Sequence, residues 1–343
     1  MTRDTLRALP KAELHRHLDG SIRLETVADI AARHKLDLGI CAEEELAVKA
    51  RITRPMKDLQ TVLASFATIQ QVLCSYEAIE RIAFENVEDA HRDGIHLIEL
   101  RFAPPFISAG KELGNEEIIE AVIDGVTRGM SRYPIQVGLI GIVVRSMDLE
   151  INRQATVDLI RYAGSRYRNA DRICGFDLAD AEDRSNPEDF LPMVQQAREA
   201  GLGITIHSGE NTSAAAVRRT LDLFAPQRIG HGIKSWGEEK LIERIRDQEV
   251  MLEVCPTSNW LTSSVSSLEE HPLPRLYRSG VAVSINSDDP NLFGIDLVHE
   301  YELCARLYGF TEQDFMTING QTVEHSFLPR DIRTEVLKRN FES

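Results

Sequence analysis

Ile135-Gln136-Val137-Gly138-Leu139-Ile140-Gly141-Ile142-Val143-Val144 is apolar at nearly every position and rich in β-branched residues. A strand with one wet face alternates apolar with polar; a run without alternation is buried on both faces, as in a parallel sheet covered by helices. Residues 116–130 before it and 187–200 beyond it carry the spacing of crossover helices. Working outward, comparable short runs recur at 11–17, 95–104, 173–180, 203–210, 228–232, 251–259 and 281–290. Eight strand candidates joined by helical connections predict an α/β fold of the (β/α)₈ TIM-barrel type.

The stretch 21–94 is too long for one crossover. Leu59, Val62, Leu63, Phe66, Ile69 and Val72 keep helical spacing, as do Ile79, Ile82, Ala83, Asn86 and Val87. Ser75 stands as N-cap of the second set and Gly94 just past its end. This predicts extra helices inserted after the first strand, a lid or wall over the barrel mouth. With no repeat, low-complexity tract or Pro/Gly/Ser linker, residues 1–343 are expected to form one domain.

Asp and Glu number 54 against 39 Lys and Arg, a formal charge of −15. That excess speaks against a nucleic-acid partner, which needs a basic face. The cysteines at 41, 74, 174, 255 and 304 show no Cys-x-x-Cys spacing, so they read as small core residues in a reducing compartment. Met1-Thr2-Arg3-Asp4 leads directly to Leu9-Pro10-Lys11 without a signal-type apolar region, and no run is long enough to span a bilayer. A cytoplasmic protein without membrane partners is expected.

The chemistry gathers at strand ends. In Glu13-Leu14-His15-Arg16-His17-Leu18-Asp19-Gly20 two histidines lie at i and i+2 of the first strand, on one face. Paired imidazoles suit a zinc-type ion. The fifth strand ends in His207-Ser208-Gly209-Glu210, the sixth in Gly230-His231-Gly232, and the eighth in Asp288-Asp289-Pro290. Taken singly, Glu210 reads as a helix-start carboxylate, His231 as a packed residue between glycines, and Asp288-Asp289-Pro290 as a turn. In a parallel barrel, however, all these ends meet at one mouth, where active sites form. Glu99 and Arg101 read as a polar network inside the barrel. His34, His91, His271, His299 and His325 read as surface or satisfied polar residues.

Over nearly its whole length the chain resembles the adenosine deaminase family, the zinc aminohydrolases of purine nucleosides. The resemblance rests on Pro10-Lys11-Ala12-Glu13-Leu14-His15-Arg16-His17-Leu18-Asp19-Gly20, Glu99-Leu100-Arg101-Phe102-Ala103-Pro104 and His207-Ser208-Gly209-Glu210. It continues in Arg228-Ile229-Gly230-His231-Gly232, Cys255-Pro256-Thr257-Ser258-Asn259 and Ser284-Ile285-Asn286-Ser287-Asp288-Asp289-Pro290. It implies one Zn²⁺ per chain on His15, His17, His207 and Asp288. It implies catalytic roles for Glu210, His231 and Asp289, with His17, Asp19, Asp180 and Asp289 toward the substrate. Glu210 corresponds to the group that protonates ring N1, His231 and Asp288 to those orienting the attacking oxygen. Asp289 corresponds to the partner of N7, and Asp19 to that of the ribose 5′-hydroxyl. One departure stands out: the family reads Asp-Leu-Ala-Gly-Asp-Glu after the fourth strand, with the glycine N–H facing purine N3. Here the stretch is Asp177-Leu178-Ala179-Asp180-Ala181-Glu182.

The resemblance implies deamination of adenosine or deoxyadenosine in purine salvage, by a monomer or homodimer. The alternative within the same chemistry is a deaminase of adenine or of another 6-aminopurine nucleoside. Adenine-specific relatives carry Glu-Gly after the histidine pair, so Asp19-Gly20 favours a nucleoside. Amide or ester hydrolysis on a two-metal barrel would call for a lysine at the end of the fourth strand, and there is none. A non-catalytic nucleoside-binding relative would have lost a ligand or the acid; all are present. Cys255-Pro256 has the wrong order for the Pro-Cys-x-x-Cys deaminases.

Overall fold

The computed structural model describes residues 1–39, 46, 48, 50–57 and 59–341. Its centre is an eight-stranded parallel sheet in sequential order: β1 (Lys11–His17), β2 (Ile95–Phe102), β3 (Gln136–Val144), β4 (Ile173–Ala179), β5 (Gly203–Ser208), β6 (Arg228–His231), β7 (Met251–Val254) and β8 (Val283–Ile285). β8 returns to β1 at the mouth through a parallel bridge between Arg16 and Asp288. There His17 N–H donates to Asp288 O and Asp288 N–H to His15 O, at 2.8 and 3.1 Å. The barrel expected from the apolar runs is the one observed.

Strand starts fall close to expectation; the ends are shorter, because the C-terminal residues peel away from the ladder to face the mouth. The largest difference is at 251–259. β7 stops at Val254, and Pro256–Leu261 forms a short helix with Pro256 in its first turn, where a missing N–H costs nothing. Likewise 281–290 yields only a three-residue strand before the turn carrying Asp288 and Asp289. The 187–200 helix divides into a 3₁₀ turn (Pro187–Phe190) and an α-helix (Leu191–Glu199).

Within 21–94 the helices Leu24–His34, Leu59–Gln70 and Tyr76–Arg92 are described. Ser75 caps the last through a side-chain bond from Ala78 N–H, and Gly94 follows it at φ +77°. Cys174, Cys255 and Cys304 are buried free thiols and Cys74 a half-buried one, while Cys41 lies outside the described residues.

The barrel interior carries a network of buried ion pairs. Arg101 donates to Asp177 and Glu253 at 2.8 and 2.7 Å, and Arg228 donates to Glu99 at 2.6 Å while its Nε forms an ion pair with Glu253 Oε1 at 2.7 Å. Charges stripped of water persist only when matched in this way. Among the described residues no helix is long and apolar enough to cross a membrane.

Candidate active site

A cavity of about 450 Å³ opens at the C-terminal ends of the strands. His17, Asp19, Asp180, His207, Glu210, His231, Asp288 and Asp289 all line it. His15 lies directly behind, wholly buried, with Nε2 3.2 Å from Asp288 Oδ1. Every site residue expected from the sequence is therefore at one place.

The orientation of the imidazoles follows from carboxylates deeper in the barrel. Glu253 Oε2 lies 3.0 Å from His15 Nδ1, and Asp177 Oδ2 lies 3.0 Å from His207 Nδ1. Both carboxylates stay ionised: burial opposes this, but Arg101 and the adjoining imidazole hold each well below the usual carboxylate range. An ionised carboxylate only accepts, so each Nδ1 carries the proton and each Nε2 is left bare toward the cavity. Glu253 and Asp177 escaped notice in the sequence. A lone acid inside an apolar parallel strand was the available signal, because such a residue must be paired.

The donor set fits a divalent ion. Ligand atoms of His15, His17 and His207 lie within 4.8 Å of one another, as do those of His15, His231 and Asp288. Asp288 Oδ1 stands 3.2 Å from His15 Nε2 and 3.3 Å from His17 Nε2. His15 Nε2 has no hydrogen-bond partner. A bare nitrogen facing an anionic oxygen is repulsive unless a cation lies between them. Burial would raise Asp288, yet His15, His231 and His17 hold it well below its ordinary value. Three imidazole nitrogens and one carboxylate are a zinc-type set.

Glu210 follows β5 on a turn clamped by Glu182, whose carboxylate accepts from the N–H groups of Gly209 and Glu210 at 2.8 and 2.9 Å. Thr262 Oγ1 donates to Glu210 Oε1 at 3.0 Å, and Glu210 Oε2 faces His231 Nε2 at 3.7 Å. Burial, against the pull of His231 and with Asp288 adding to it, raises the Glu210 carboxyl toward its protonated form. His231 sits at φ +62° between two glycines. A side chain on Gly230 would come within 3.1 Å of the His15 ring. The glycine thus lets the imidazoles crowd together.

Asp19 and Asp289 also line the cavity. Asp19 accepts from Gln70 Nε2 at 2.6 Å, and burial pushes its pKa up to about 6. Asp289 packs on Gly20, where a Cβ would fall 1.8 Å from its Oδ1. Burial, then the neighbouring Asp288, Asp19 and Glu210, raise it well above the carboxylate range. One oxygen on each residue, Oδ1, lacks any partner. Asp180 holds φ +82° and turns its carboxylate onto the N–H groups of Ser146 and Ala181, at 3.0 and 2.7 Å. Val62, Phe66, Phe106, Ile142 and Val144 supply an apolar wall.

Comparison with known proteins agrees with this geometry. The adenosine deaminase family matches residues 10–341. The adenosine deaminases of Salmonella schwarzengrund and Escherichia coli strain SE11 are each 34% identical. The first match covers 94% of this chain and 95% of the relative, the second 93% and 94%. An adenine deaminase from Arthrobacter aurescens superposes with TM-score 0.89 at 26% identity, over 98% of this chain and 99% of that one. The N6-methyl-AMP deaminase of Arabidopsis thaliana does so with TM-score 0.84 at 25% identity, over 98% of both chains. The chain belongs to the adenosine deaminase family of hydrolases acting on C–N bonds.

Proposed function

We propose that the protein hydrolyses the 6-amino group of adenosine and deoxyadenosine, releasing ammonia and the 6-oxopurine nucleoside. The observation that carries this reading is the meeting of bare imidazole nitrogens, ionised Asp288 and a carboxyl-raised Glu210 in one cavity. His15, His17, His207 and Asp288 would hold one zinc ion. Bound there, it would acidify a water toward neutral pH.

The chain's own residues do the rest. Glu210, kept protonated, gives its proton to ring N1 as the water oxygen adds at C6, and regains one from that water. The proton regained by Glu210 restores its acid form, and the proton of the added hydroxyl passes to the amino group as C6=O forms, so that the C6–N bond breaks and ammonia leaves. His231 and Asp288 flank the attacking oxygen and fix its approach. Asp289, itself protonated, donates to N7.

Nucleosides are favoured over free adenine because the unpartnered Asp19 Oδ1 needs a hydroxyl. A buried polar atom left without its ligand group penalises substrates lacking it. His17 and Asp180 complete the substrate contacts, with the Asp180 backbone N–H beside N3. The similarity to an adenine deaminase of TM-score 0.89 favours the second reading, that free adenine or another 6-aminopurine nucleoside is taken. Residues 1–343 act as a single barrel domain with 21–94 as its lid. The assembly proposed is a monomer or a homodimer. Purine salvage in the cytoplasm is the setting that fits such a reaction.

Ammonia release from adenosine, deoxyadenosine and adenine, and methylamine release from N6-methyladenosine, test the reading, together with zinc content of wild type and His17→Ala. Preference for adenine, or full activity and stoichiometric metal in His17→Ala, would sink it.

A further inference from the structure

Behind the cavity, polar contacts run in an unbroken line from a backbone amide to His231. Leu273 N–H donates to His271 Nδ1 at 3.1 Å. A backbone N–H can only donate, so Nδ1 is the bare nitrogen of that ring. His271 is fully buried, and burial pushes its pKa down to about 3. The ring is therefore neutral, with its one proton on Nε2. That nitrogen lies 3.2 Å from Asn259 Oδ1, the acceptor end of the amide. Asn259 must then present Nδ2 to its other neighbour, His231 Nδ1, at 3.0 Å. An amide NH₂ has no lone pair to offer, so His231 Nδ1 is bare and its proton resides on Nε2. Nε2 points into the cavity, 3.7 Å from Glu210 Oε2 and 3.9 Å from Asp288 Oδ2.

We infer that Asn259 and His271 are positioning residues that lock His231 as the Nε2–H tautomer, making it a hydrogen-bond donor to the reacting oxygen and not the group that removes its proton. The mechanistic half of this statement rests on the deaminase reading; the tautomer does not. The proton shed by the attacking water then goes to a carboxylate. Asn259 sits on the short helix after β7 and His271 on the loop beyond it. The relay thus joins two chain segments that the sequence gives no reason to connect.

The experiment is ¹⁵N spectroscopy of histidine-labelled enzyme, read with kcat, KM and metal content for four proteins. In wild type, His231 should show a bare Nδ1 and a protonated Nε2. Asn259→Asp replaces the donor by an acceptor and should move the proton to Nδ1. kcat should fall about 10²–10⁴-fold, the range for a wrongly protonated catalytic imidazole. KM should stay within about threefold, with metal retained, as expected of a contact made only in the transition state. His271→Gln places an amide N–H where Nε2 was and should keep the wild-type spectrum and most of the turnover. His271→Leu frees the Asn259 amide to rotate and should lose both. A wild-type His231 protonated on Nδ1 would overturn the assignment, as would wild-type turnover in Asn259→Asp. Equal losses in the Gln and Leu variants with an unchanged His231 spectrum would reduce His271 to packing. Should the enzyme prove inactive on every 6-aminopurine, the wild-type and Asn259→Asp spectra still decide the tautomer.

Discussion

His15 Nδ1 lies 3.0 Å from Glu253 Oε2, and the same oxygen accepts from Arg101 at 2.7 Å. Arg101 also reaches Asp177, the carboxylate that orients His207. One guanidinium thus anchors the supports of two imidazoles of the candidate metal site. Glu253→Gln removes the charge that fixes His15 and should weaken zinc binding by about 10–100-fold, the usual effect of losing such an outer partner. Competition against a chelator of known affinity measures it. Unchanged affinity would mean that His15 is held by packing alone.

Glu210→Gln separates acid catalysis from metal binding. The amide keeps the bond from Thr262 but has no proton to give N1. kcat should drop about 10²–10⁴-fold while zinc content stays near wild type. Loss of zinc together with activity would make Glu210 a ligand; normal turnover would remove it from the reaction.

What was legible in the sequence follows a physical pattern. The parallel strands announced themselves because burial on both faces leaves continuous apolar runs such as 135–144. The site announced itself because strands that run in parallel deliver His15, His17, His207, His231 and Asp288 to one end. The supporting shell did not. Glu253, Asp177 and Asn259 act through partners 238, 30 and 28 residues away in the chain, and only the closed barrel defines those pairs. The segment from Cys255 to Asn259 read as strand because it continues an apolar run. Pro256 instead starts a helix there, and this turn is what aims Asn259 at His231. His271 read as a satisfied polar residue, which it is, but nothing local says that it is satisfied by the group holding His231.

Asp180 stands where the resembled motif has glycine, and its φ of +82° shows why glycine suits the position. A non-glycine residue held there costs about 1–3 kcal/mol. Its carboxylate offsets part of that by accepting from Ser146 and Ala181 N–H groups. Asp180→Gly loses these bonds but relieves the backbone, so stability should change by less than about 1 kcal/mol. Asp180→Ala keeps the strain and loses the bonds; it should be destabilised by about 1–3 kcal/mol. Denaturant unfolding compares the two. On the proposed N3 contact, kcat/KM for adenosine should be unchanged or improved in Asp180→Gly. A collapse of adenosine turnover would show that the carboxylate itself reads the substrate.

Glu300 gives the clearest dependence on pH. It is fully buried, its Oε1 accepts from Thr257 N–H at 3.1 Å, and its Oε2 has no partner. Burial, against the bond from Thr257 and with Glu13 and Asp288 nearby, pushes its pKa from 4.5 to about 8. A carboxyl raised in the folded state contributes stability that is complete below its unfolded value and is lost as pH rises through the folded one. Wild type should therefore lose this contribution between about pH 4.5 and 8. Above that, an ionised carboxylate sits in the core short of partners. Glu300→Gln stays neutral throughout and keeps an oxygen for Thr257 N–H. Its Tm should match wild type near pH 5 and exceed it at pH 9 by roughly 1–4 °C, corresponding to about 1–3 kcal/mol for an unmatched buried group. Thermal scans of the zinc-loaded proteins across that range decide the matter. Parallel curves would mean that Glu300 is ionised and compensated at every pH, and a variant less stable at pH 9 would mean that its charge is used.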